Sequence, residues 1–585
     1  MSSSQVSDRS TAAWIARCLK ARGIDRVFGL CGGHIMPLWM QLDAWGIRII
    51  DVRDERAAVY MAHAHAEVTG QIGVALVTAG PGVTNAMTGI ANAHVARASV
   101  LVLSGTPPRA QENRGALQDM AHIEFVRPLT RYARTVREPE LVMQELDEAL
   151  ARAAGIGGEP GPVYLDFPVD TLRAEPCAAV QLPEWLLPRR PPRVLPDPDS
   201  VVAAVDLLWS ARRPLVISGR GARGAGDALI RLLDALGAVY LDTGESRGLV
   251  PESHPSVVAA MRGTAMTEAD VVLTLGRKLD FQLAYGSPSV FGQARFVRMA
   301  DNAAELRDNR RGAVEVLASV DAALQALVCA AGDRPAACDR QWAQQMRARH
   351  EERSHKLLQS MRQAPPGSDG RMHPNRVLAA LRDALPADSV VVADGGDFLS
   401  FARVGLSAST YLDPGSLGCI GVGTPFGVAA SLALPQRTVV VATGDGAFGF
   451  NAMEIDTAAR HRAPVLIVVA NNGAWAIEVR DQQETHGKVV GTQLQFADHA
   501  AMARGLGLHA ERVERAEDLP QAIGRALAHL PALLDVVVTP QAVSSDARSG
   551  LAWVPDLQPL SAWDDAERRW RQGQGESGPT PARPM

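Results

Sequence analysis

The stretch that decides the fold runs from residue 437 to 478 and reads RTVVVATGDGAFGFNAMEIDTAARHRAPVLIVVANNGAWAIE. It opens with a run of β-branched residues, which is typical of a buried strand, and then turns at the Gly-Asp-Gly that contains Asp445. A helix-like segment follows, and a second apolar run, 465–470, ends in a pair of asparagines that includes Asn472. The carboxyl ends of neighbouring parallel strands meet at one edge of a sheet, so we expect Asp445 and Asn472 to lie together at a ligand crevice.

These two side chains indicate the chemistry of the crevice. Asp445 supplies an anionic oxygen and Asn472 a neutral one, which suits Mg²⁺ bound to a diphosphate. Gly444 and Gly446 allow backbone N–H groups to approach that diphosphate, because no Cβ stands in the way. A Gly-Asp-Gly alone is a common turn. Its offset of 27 residues from Asn472, with a strand before each motif, makes the combination much more specific and similar to the thiamine-diphosphate-binding signature.

Length and composition restrict the class of protein. At about 150 residues per domain, 585 residues suggest roughly three or four domains. The chain is 47% hydrophobic and 21% charged, an ordinary globular composition, and its net charge of −5 gives no reason to expect nucleic acid or an anionic membrane as partner. The six cysteines form no CxxC and are expected to be free thiols. With no signal-peptide pattern and no long apolar stretch, we predict a soluble cytoplasmic protein.

Strand-like and helix-like runs alternate along most of the chain. Runs such as VFGL, GVALVTAG and SVLVLSG are typical of buried parallel strands. The pattern predicts an α/β fold with three doubly wound parallel-sheet domains. The predicted segments are a first domain at 1–182, a proline-rich linker at 183–199, a central domain at 200–345, a second linker at 363–374, a third domain at 375–540, and a C-terminal lid with a disordered tail at 541–585.

The whole chain resembles the acetolactate-synthase-like branch of the thiamine-diphosphate enzymes. The segments that carry the resemblance are FGLCGGH, RDERAA, TAGPGVTN, GALQD, GSLGCIGVG and the GDG…NN pair. It implies a pyrimidine-binding first domain, a nucleotide-binding-like central domain and a diphosphate-binding third domain.

The resemblance assigns a catalytic role to Glu55. A lone Glu at a helix start is usually a solvated charge. In this family, however, a Glu of the first domain hydrogen-bonds N1′ of the cofactor aminopyrimidine, and RDERAA places Glu55 there. The family sets this Glu opposite the diphosphate site of a neighbouring subunit, so a homodimer is the minimum unit implied and a homotetramer is expected.

Two further residues of the first domain carry over by position. Gln118, in GALQD, matches the family Gln that faces cofactor and substrate; the alternative is a surface helix residue. His34, in FGLCGGH, stands where benzaldehyde-lyase-like relatives place an active-site His; the alternative is a turn histidine with no catalytic role.

The third domain supplies the remaining cofactor contacts that the resemblance implies. The backbone carbonyl of Gly418 would contact the aminopyrimidine. Ile420 would prop the thiazolium, although an ordinary core position is the alternative. The carbonyl of Ala474 would join Asp445 and Asn472 as a Mg²⁺ ligand. The other implied contacts are Gly396, Asp397, Phe398, Gly444, Gly446 and Ala447.

The central domain contains GRGARG, a Gly-x-Gly-x-x-Gly motif that is weak evidence by itself. Relatives hold FAD, ADP or nothing there, so a vestigial site remains an alternative. By resemblance to the acyl-CoA branch, some residues are candidates for ADP contacts and some arginines for the CoA phosphates, although each Arg taken singly is more often a surface charge. The nucleotide- and CoA-binding candidates are Gly219, Arg220, Arg262, Asp301 and Arg403.

Residues expected to surround the substrate indicate which reaction the protein catalyses. The sequence has no His-His pair, which argues against a pyruvate-decarboxylase-type site. The nearest look-alikes are the 2-hydroxyacyl-CoA lyases and the oxalyl-CoA decarboxylases. Glu478 lies six residues beyond Asn472, and a carboxylate there could take the proton of a substrate 2-hydroxyl, whereas it would mainly repel an oxalyl group. The segment after 541 resembles the lid of bacterial lyases that act on short branched substrates such as 2-hydroxyisobutyryl-CoA, and such a lid would exclude water.

We therefore predict a thiamine-diphosphate- and Mg²⁺-dependent 2-hydroxyacyl-CoA lyase that releases formyl-CoA and a ketone or aldehyde. Its catalytic residues would be Glu55, Gln118, Glu478 and His34. A CoA-independent carboligase or lyase of the benzaldehyde-lyase or acetolactate-synthase type is an alternative, as is an oxalyl-CoA decarboxylase. A non-catalytic nucleotide-binding relative is a further alternative, against which the intact Glu55, Asp445 and Asn472 argue.

Overall fold

A computed structural model describes residues 9–176 and 193–544, with the single positions 569 and 572. These residues fall into two compact units. The first contains the described residues up to 176 with 365–402 and 412–542, and the second contains 193–364, 403–411 and 543–544.

The first unit begins with a parallel sheet of six strands in the order β2-β1-β3-β4-β6-β5. The strands are β1 (Arg26–Gly29), β2 (Arg48–Asp51), β3 (Gly73–Val77), β4 (Val100–Thr106), β5 (Tyr132–Thr135) and β6 (Val163–Pro168). The helices are α1 (Thr11–Ala21), α2 (Met36–Ala44), α3 (Glu55–Thr69), α4 (Pro81–Ala96), α5 (His122–Val126), α6 (Val142–Ala153) and α7 (Val169–Arg173). All of β3 and β6 is buried, as expected for a parallel sheet covered on both faces.

Local signals fix the helix that begins with Glu55. The side chain of Asp54 accepts a hydrogen bond from the backbone N–H of Arg56, a standard N-cap. At the other end Gly70 takes a left-handed conformation with φ 71°, which glycine adopts without a Cβ penalty. Glu55 therefore occupies the first turn of α3, directly after the end of β2.

The second unit contains a parallel sheet of five strands in the order β11-β10-β9-β7-β8. The strands are β7 (Pro214–Ser218), β8 (Val239–Leu241), β9 (Val271–Leu275), β10 (Arg295–Ala300) and β11 (Val314–Leu317). The helices are α8 (Pro198–Trp209), α9 (Gly226–Leu236), α10 (Arg262–Glu268), α11 (Pro288–Phe291), α12 (Ala303–Leu306), α13 (Val320–Ala331) and α14 (Arg340–Arg362).

A third sheet has six strands in the order β13-β12-β14-β15-β17-β16. The strands are β12 (Val390–Asp394), β13 (Thr410–Leu412), β14 (Val439–Gly444), β15 (Val465–Asn471), β16 (His509–Val513) and β17 (Ala532–Val537). The helices are α15 (Pro374–Ala384), α16 (Asp397–Gly405), α17 (Gly423–Ala433), α18 (Asp445–Phe450), α19 (Glu454–His461), α20 (Ala476–His486), α21 (His499–Gly505) and α22 (Leu519–Ala528). Strands β14 and β15 pair in parallel with Gly444 opposite Ala470, so the Gly-Asp-Gly turn and the Asn pair leave the sheet side by side.

The predicted α/β fold with three parallel-sheet domains is confirmed. The single helical segment predicted after the Gly-Asp-Gly is instead two helices, α18 and α19. They are separated at 451–453, where the Asn451 amide donates to the carbonyl of Gly421 at 2.7 Å. Of the strands, the sequence missed β5, β11, β13 and β16. Each is three to five residues long and includes residues that are only partly buried or exposed.

The domain boundaries stay predictions. Most of the first linker lies outside the described residues, as does the proposed C-terminal lid. Within the described ranges, every helix is too short or too polar to cross a membrane. Five cysteines there are free thiols, namely Cys18, Cys31, Cys329, Cys338 and Cys419; Cys177 lies outside the described residues.

Candidate active site

Asp445 begins α18 directly after β14, and it is buried, with 6% of its surface exposed. One carboxylate oxygen accepts the backbone N–H of Gly473 at 3.0 Å. Burial raises the pKa of Asp445 to about 6, although backbone N–H groups from Gly446, Gly473 and Asn472 act in the opposite direction. A cation bound beside this buried carboxylate would favour its ionised form.

Asn472 follows β15 and is also buried. Its side-chain oxygen accepts the backbone N–H of Ala474 at 3.1 Å, and the Gly473 between them takes φ 64°. Ala474 pairs with Gln493 in an antiparallel bridge, which helps to fix the loop that follows Asn472. The structure thus brings Asp445, Asn472 and Ala474 into one loop cluster, as the sequence predicted.

The donor set fits a magnesium diphosphate. A carboxylate, an amide oxygen and a backbone carbonyl are hard oxygen ligands, which Mg²⁺ prefers. In the part of the chain that the structure describes, His, Cys, Asp and Glu form no cluster of three or more that could hold a metal ion. Gly446 allows the ring of Trp475 to pack closely against this turn, since a Cβ at position 446 would stand 2.6 Å from that ring.

A group of charged side chains borders this cluster. Asp397, at the start of α16, is paired with Arg480 of α20 at 3.0 Å. Burial raises the pKa of Asp397 to about 6; Arg480 lowers it, whereas the charges of Glu478 and Asp445 raise it further. Glu478 is exposed on the first turn of α20. The carboxylate of Asp397 therefore lies within electrostatic reach of both Asp445 and Glu478, and Arg480 is a cation at this site that the sequence did not indicate.

The other predicted contacts of the third domain lie around the starts of α16 and α18 and in the segment before α17. Phe398 and Ala447 are buried, each 3% exposed. Gly396 is packed so that a Cβ would stand 3.0 Å from the side chain of Ile477. Gly418 takes a left-handed φ of 71°, and Ile420 is half-buried.

Asp394 organises the loop that follows Ile420, and sequence reasoning missed it. Its buried carboxylate accepts backbone N–H groups from Gly395 at 2.7 Å, Gly421 at 3.1 Å and Gly423 at 2.8 Å. Burial raises its pKa to about 6. An Asp at the carboxyl end of the apolar run VVVAD was the available signal, because such a position faces the same edge as Asp445.

Glu55 lies in a second cluster, in the N-terminal half. It is 6% exposed, and its Oε2 accepts the side-chain amide of Asn85, on α4, at 3.0 Å. A Cβ on Gly82 would stand 3.5 Å from Oε1, so the start of α4 passes close to this carboxylate. Asn85 belongs to the TAGPGVTN segment that carried the resemblance.

Gln118 and His34 meet beside the same helix start. The amide oxygen of Gln118 lies 3.0 Å from Nδ1 of His34, and Gln118 takes an unusual φ of 63°. A Cβ on Gly80 would stand 2.9 Å from the Gln118 Cβ, so Gly80 gives Gln118 its place. Burial lowers the pKa of His34; the hydrogen bond that its ring donates to Gln118 raises it, and the charge of His122 lowers it.

A buried pair, His122 and Asp166, supports this segment. Nε2 of His122 accepts the backbone N–H of Gly80 at 2.8 Å, and Nδ1 lies 3.0 Å from a carboxylate oxygen of Asp166. Because Nε2 accepts, Nδ1 carries the proton and donates to Asp166. Tyr164 also donates to this oxygen, at 3.0 Å. No pattern in the sequence indicates the pair, whose members are 44 residues apart.

In the second unit the glycine-rich loop after β7 is close-packed. A Cβ on Gly219 or Gly221 would meet Arg277 or Gly276 at 2.6–2.7 Å. Burial lowers the pKa of Arg220, and the charges of Glu245 and Asp301 raise it. The structure thus places Arg220 within electrostatic reach of Asp301, and the ADP contact expected of both residues stays a prediction.

The two arginines proposed for CoA have contacts of their own. The guanidinium of Arg262 donates to the carbonyls of Asp242 and Gln282, each at 3.3 Å. The backbone carbonyl of Arg403 accepts from Arg247 at 2.9 Å. Nothing in these contacts tests phosphate binding.

Three parallel-sheet domains, with an acidic and an amide oxygen at adjacent strand ends, define a thiamine-diphosphate-binding α/β protein. The chain belongs to the thiamine pyrophosphate enzyme family. The family's N-terminal TPP binding domain matches residues 9–125, its central domain 201–327 and its C-terminal TPP binding domain 395–536.

Relatives cover nearly the whole chain. A protein of Mycobacterium bovis named probable acetolactate synthase is 35% identical, over 92% of this chain and 97% of its own length. The 2-hydroxyacyl-CoA lyase 2 of Caenorhabditis elegans is 30% identical, over 89% of this chain and 88% of its own. The 2-hydroxyacyl-CoA lyase 2 of Homo sapiens is 32% identical, over 84% and 83%.

Proposed function

We propose that the protein is a Mg²⁺- and thiamine-diphosphate-dependent lyase that cleaves a 2-hydroxyacyl-CoA to formyl-CoA and a ketone or aldehyde. The observation that carries this proposal is the position of Glu478, an exposed carboxylate within electrostatic reach of Asp397 and beside the Asp445 cluster. The names of the lyase relatives from two animals agree with it.

The reaction is balanced without an oxidant or reductant. The bond between the thioester carbonyl carbon and the hydroxyl-bearing carbon breaks. The hydroxyl loses its proton as the ketone or aldehyde forms, and the thioester carbon gains a proton as formyl-CoA is released. Bound thiamine diphosphate supplies the nucleophilic carbon and the electron sink for this chemistry.

The chain's own residues then have distinct tasks. Asp445, Asn472 and the Ala474 carbonyl hold Mg²⁺ and through it the diphosphate. Glu55 holds a proton at the aminopyrimidine, Glu478 accepts the proton of the substrate hydroxyl, and the neighbouring Arg480 limits the negative charge around Asp397.

We propose that the Glu55 cluster of one subunit faces the Asp445 cluster of a second subunit in a homodimer, with a homotetramer as the expected assembly. Exposed apolar side chains beside both clusters support this arrangement, since such groups normally mark an interface. They are Met36, Leu117, Leu417, Phe450 and Met453, which are 42–78% exposed.

ADP is the proposed ligand of the central domain, at Gly219, Arg220 and Asp301, and Arg262 and Arg403 are proposed to approach the CoA phosphates. The close-packed glycines and the neighbouring charges of opposite sign support a compact nucleotide site. Titration calorimetry with ADP checks the first part: measurable binding that R220A removes is expected, and absence of binding would leave a vestigial fold.

A carboligase of the acetolactate-synthase type is the second candidate. It is favoured by the relative from Mycobacterium bovis and by the His34–Gln118 hydrogen bond, a polar contact that requires no CoA.

The test compares two glutamates of α20, Glu478 and Glu484, both of which are exposed. If Glu478 is the base, E478A should lower kcat for 2-hydroxyisobutyryl-CoA cleavage by about 10²- to 10⁴-fold, as loss of a general base does. E484A is the matched control and should keep full turnover. Full activity of E478A, or cleavage only of substrates that lack CoA, would contradict the proposal.

A further inference from the structure

The junction between β2 and α3 sets the direction of Glu55. Only three residues separate Asp51, the last residue of β2, from Glu55, the first of α3. Whatever holds the backbone of Arg53 and Asp54 therefore holds the start of the helix that carries the Glu55 carboxylate.

The carboxylate that holds this backbone comes from α19, which lies in the C-terminal part of the chain. Glu454, the first residue of α19, is 1% exposed. Its Oε1 accepts the backbone N–H of Arg53 at 3.0 Å, across 401 residues of sequence, and its Oε2 accepts the hydroxyl of Thr457 at 2.6 Å. Both oxygens of this side chain are thus used.

The burial of the Glu454 carboxylate is unfavourable in free energy by itself. Burial raises its pKa to about 7; hydrogen bonds from Thr457 and from the backbones of Arg53 and Asp54 lower it, and the Asp54 charge raises it. A buried carboxylate costs free energy unless it is fully hydrogen-bonded. Two of its hydrogen-bonding partners belong to the Glu55 junction.

Other contacts hold the same junction against α18 and α19. Arg56 donates to the carbonyl of Phe450, the last residue of α18, at 3.2 Å. Asp51 contacts both Arg460 and His461 at the end of α19. The junction therefore contacts α18, the helix that begins with the metal-ligand candidate Asp445, as well as α19.

We propose that Glu454 is a positioning residue for Glu55: its carboxylate holds the Arg53–Asp54 backbone so that Glu55 reaches the aminopyrimidine of bound thiamine diphosphate. This inference rests on the proposed role of Glu55. Glu454 itself touches neither substrate nor cofactor, and its effect on the cofactor passes through Glu55.

A double-mutant cycle tests the proposal, with the dissociation constant of Mg²⁺–thiamine diphosphate measured by titration calorimetry on wild type, E55Q, E454A and E55Q/E454A. If Glu454 acts through Glu55, E454A should weaken binding about tenfold in the wild-type background and less than about twofold in the E55Q background. An equal loss in both backgrounds would overturn the proposal and leave Glu454 a structural residue. Unchanged affinity in E55Q would instead contradict the role proposed for Glu55.

Two further variants separate geometry from stability. E454Q keeps an oxygen for the Arg53 N–H and should restore affinity to within about twofold of wild type, whereas a loss as large as that of E454A would overturn the proposal. T457V removes only the contact to Oε2 and serves as the matched control, with affinity expected to stay within about twofold. If E454A does not fold, E454D, whose shorter side chain withdraws from Arg53, takes its place in the cycle with the same expected and contradicting results.

Discussion

The imidazole of His34 and the amide of Gln118 are hydrogen-bonded, with 3.0 Å between Nδ1 and Oε1, although 84 residues separate them in the chain. With the amide oxygen facing the ring, Nδ1 carries the proton and Nε2 stays free to accept one. Burial lowers the pKa of His34 and the Gln118 contact raises it, so the imidazole is neutral at physiological pH and gains its charge only under acidic conditions.

Replacing Gln118 should move the acidic limb of the pH–rate profile. Because the hydrogen bond that His34 donates to Gln118 raises the pKa of His34, Q118A should lower that pKa, and the acidic limb of kcat/KM should shift to lower pH. The position of the limb is independent of the overall loss of activity that Q118A is also expected to show. The control is Q111A, which alters an exposed glutamine on the same segment. A limb that moves to higher pH, or does not move, would contradict this coupling.

Removing His122 should destabilise the N-terminal half. H122A leaves the buried Gly80 N–H and the Asp166 carboxylate without their partner, and each such loss costs about 1–3 kcal/mol. Thermal unfolding of the protein without cofactor should show a clearly lower midpoint. H355A, which alters an exposed histidine of α14, should change the midpoint little. Equal midpoints for H122A and wild type would show that the buried pair does not hold the Gly80 segment.

Two glycines of α18 provide a matched test of the cofactor pocket. A Cβ at Gly446 would stand 2.6 Å from the Trp475 ring, whereas a Cβ at Gly449 meets nothing within 4 Å. G446A should therefore displace Trp475 and weaken Mg²⁺–thiamine diphosphate binding by at least about tenfold, as overpacking at a close-packed site does. G449A should bind the cofactor like wild type. Calorimetric titration checks both, and equal affinities for the two variants would contradict the pocket geometry.

The sequence could predict those parts of the site that lie at strand ends. Asp445 and Asn472 each follow an apolar β-branched run, and parallel pairing of those runs brings the two residues together whatever the loops do. Glu55 could be placed only through the resemblance, because a Glu at a helix start carries no specific signal of its own.

Residues that act through backbone contacts could not be predicted. Asp394 accepts N–H groups from residues 27 and 29 positions away, and Glu454 accepts one from across 401 positions. The polar residue can be read from the sequence, but its partner cannot, because every residue other than proline carries a backbone N–H. The break between α18 and α19 was missed for the same reason, since it depends on the contact of Asn451 with the Gly421 carbonyl.

The central claim is tested most directly by one assay. Purified protein, thiamine diphosphate and Mg²⁺ are incubated with 2-hydroxyisobutyryl-CoA, and acetone and formyl-CoA are followed by chromatography. If the protein is the proposed lyase, both products should form in equal amounts and E55Q should abolish them. Absence of cleavage, with pyruvate or an aromatic acyloin turned over instead, would contradict it and assign the protein to the carboligases.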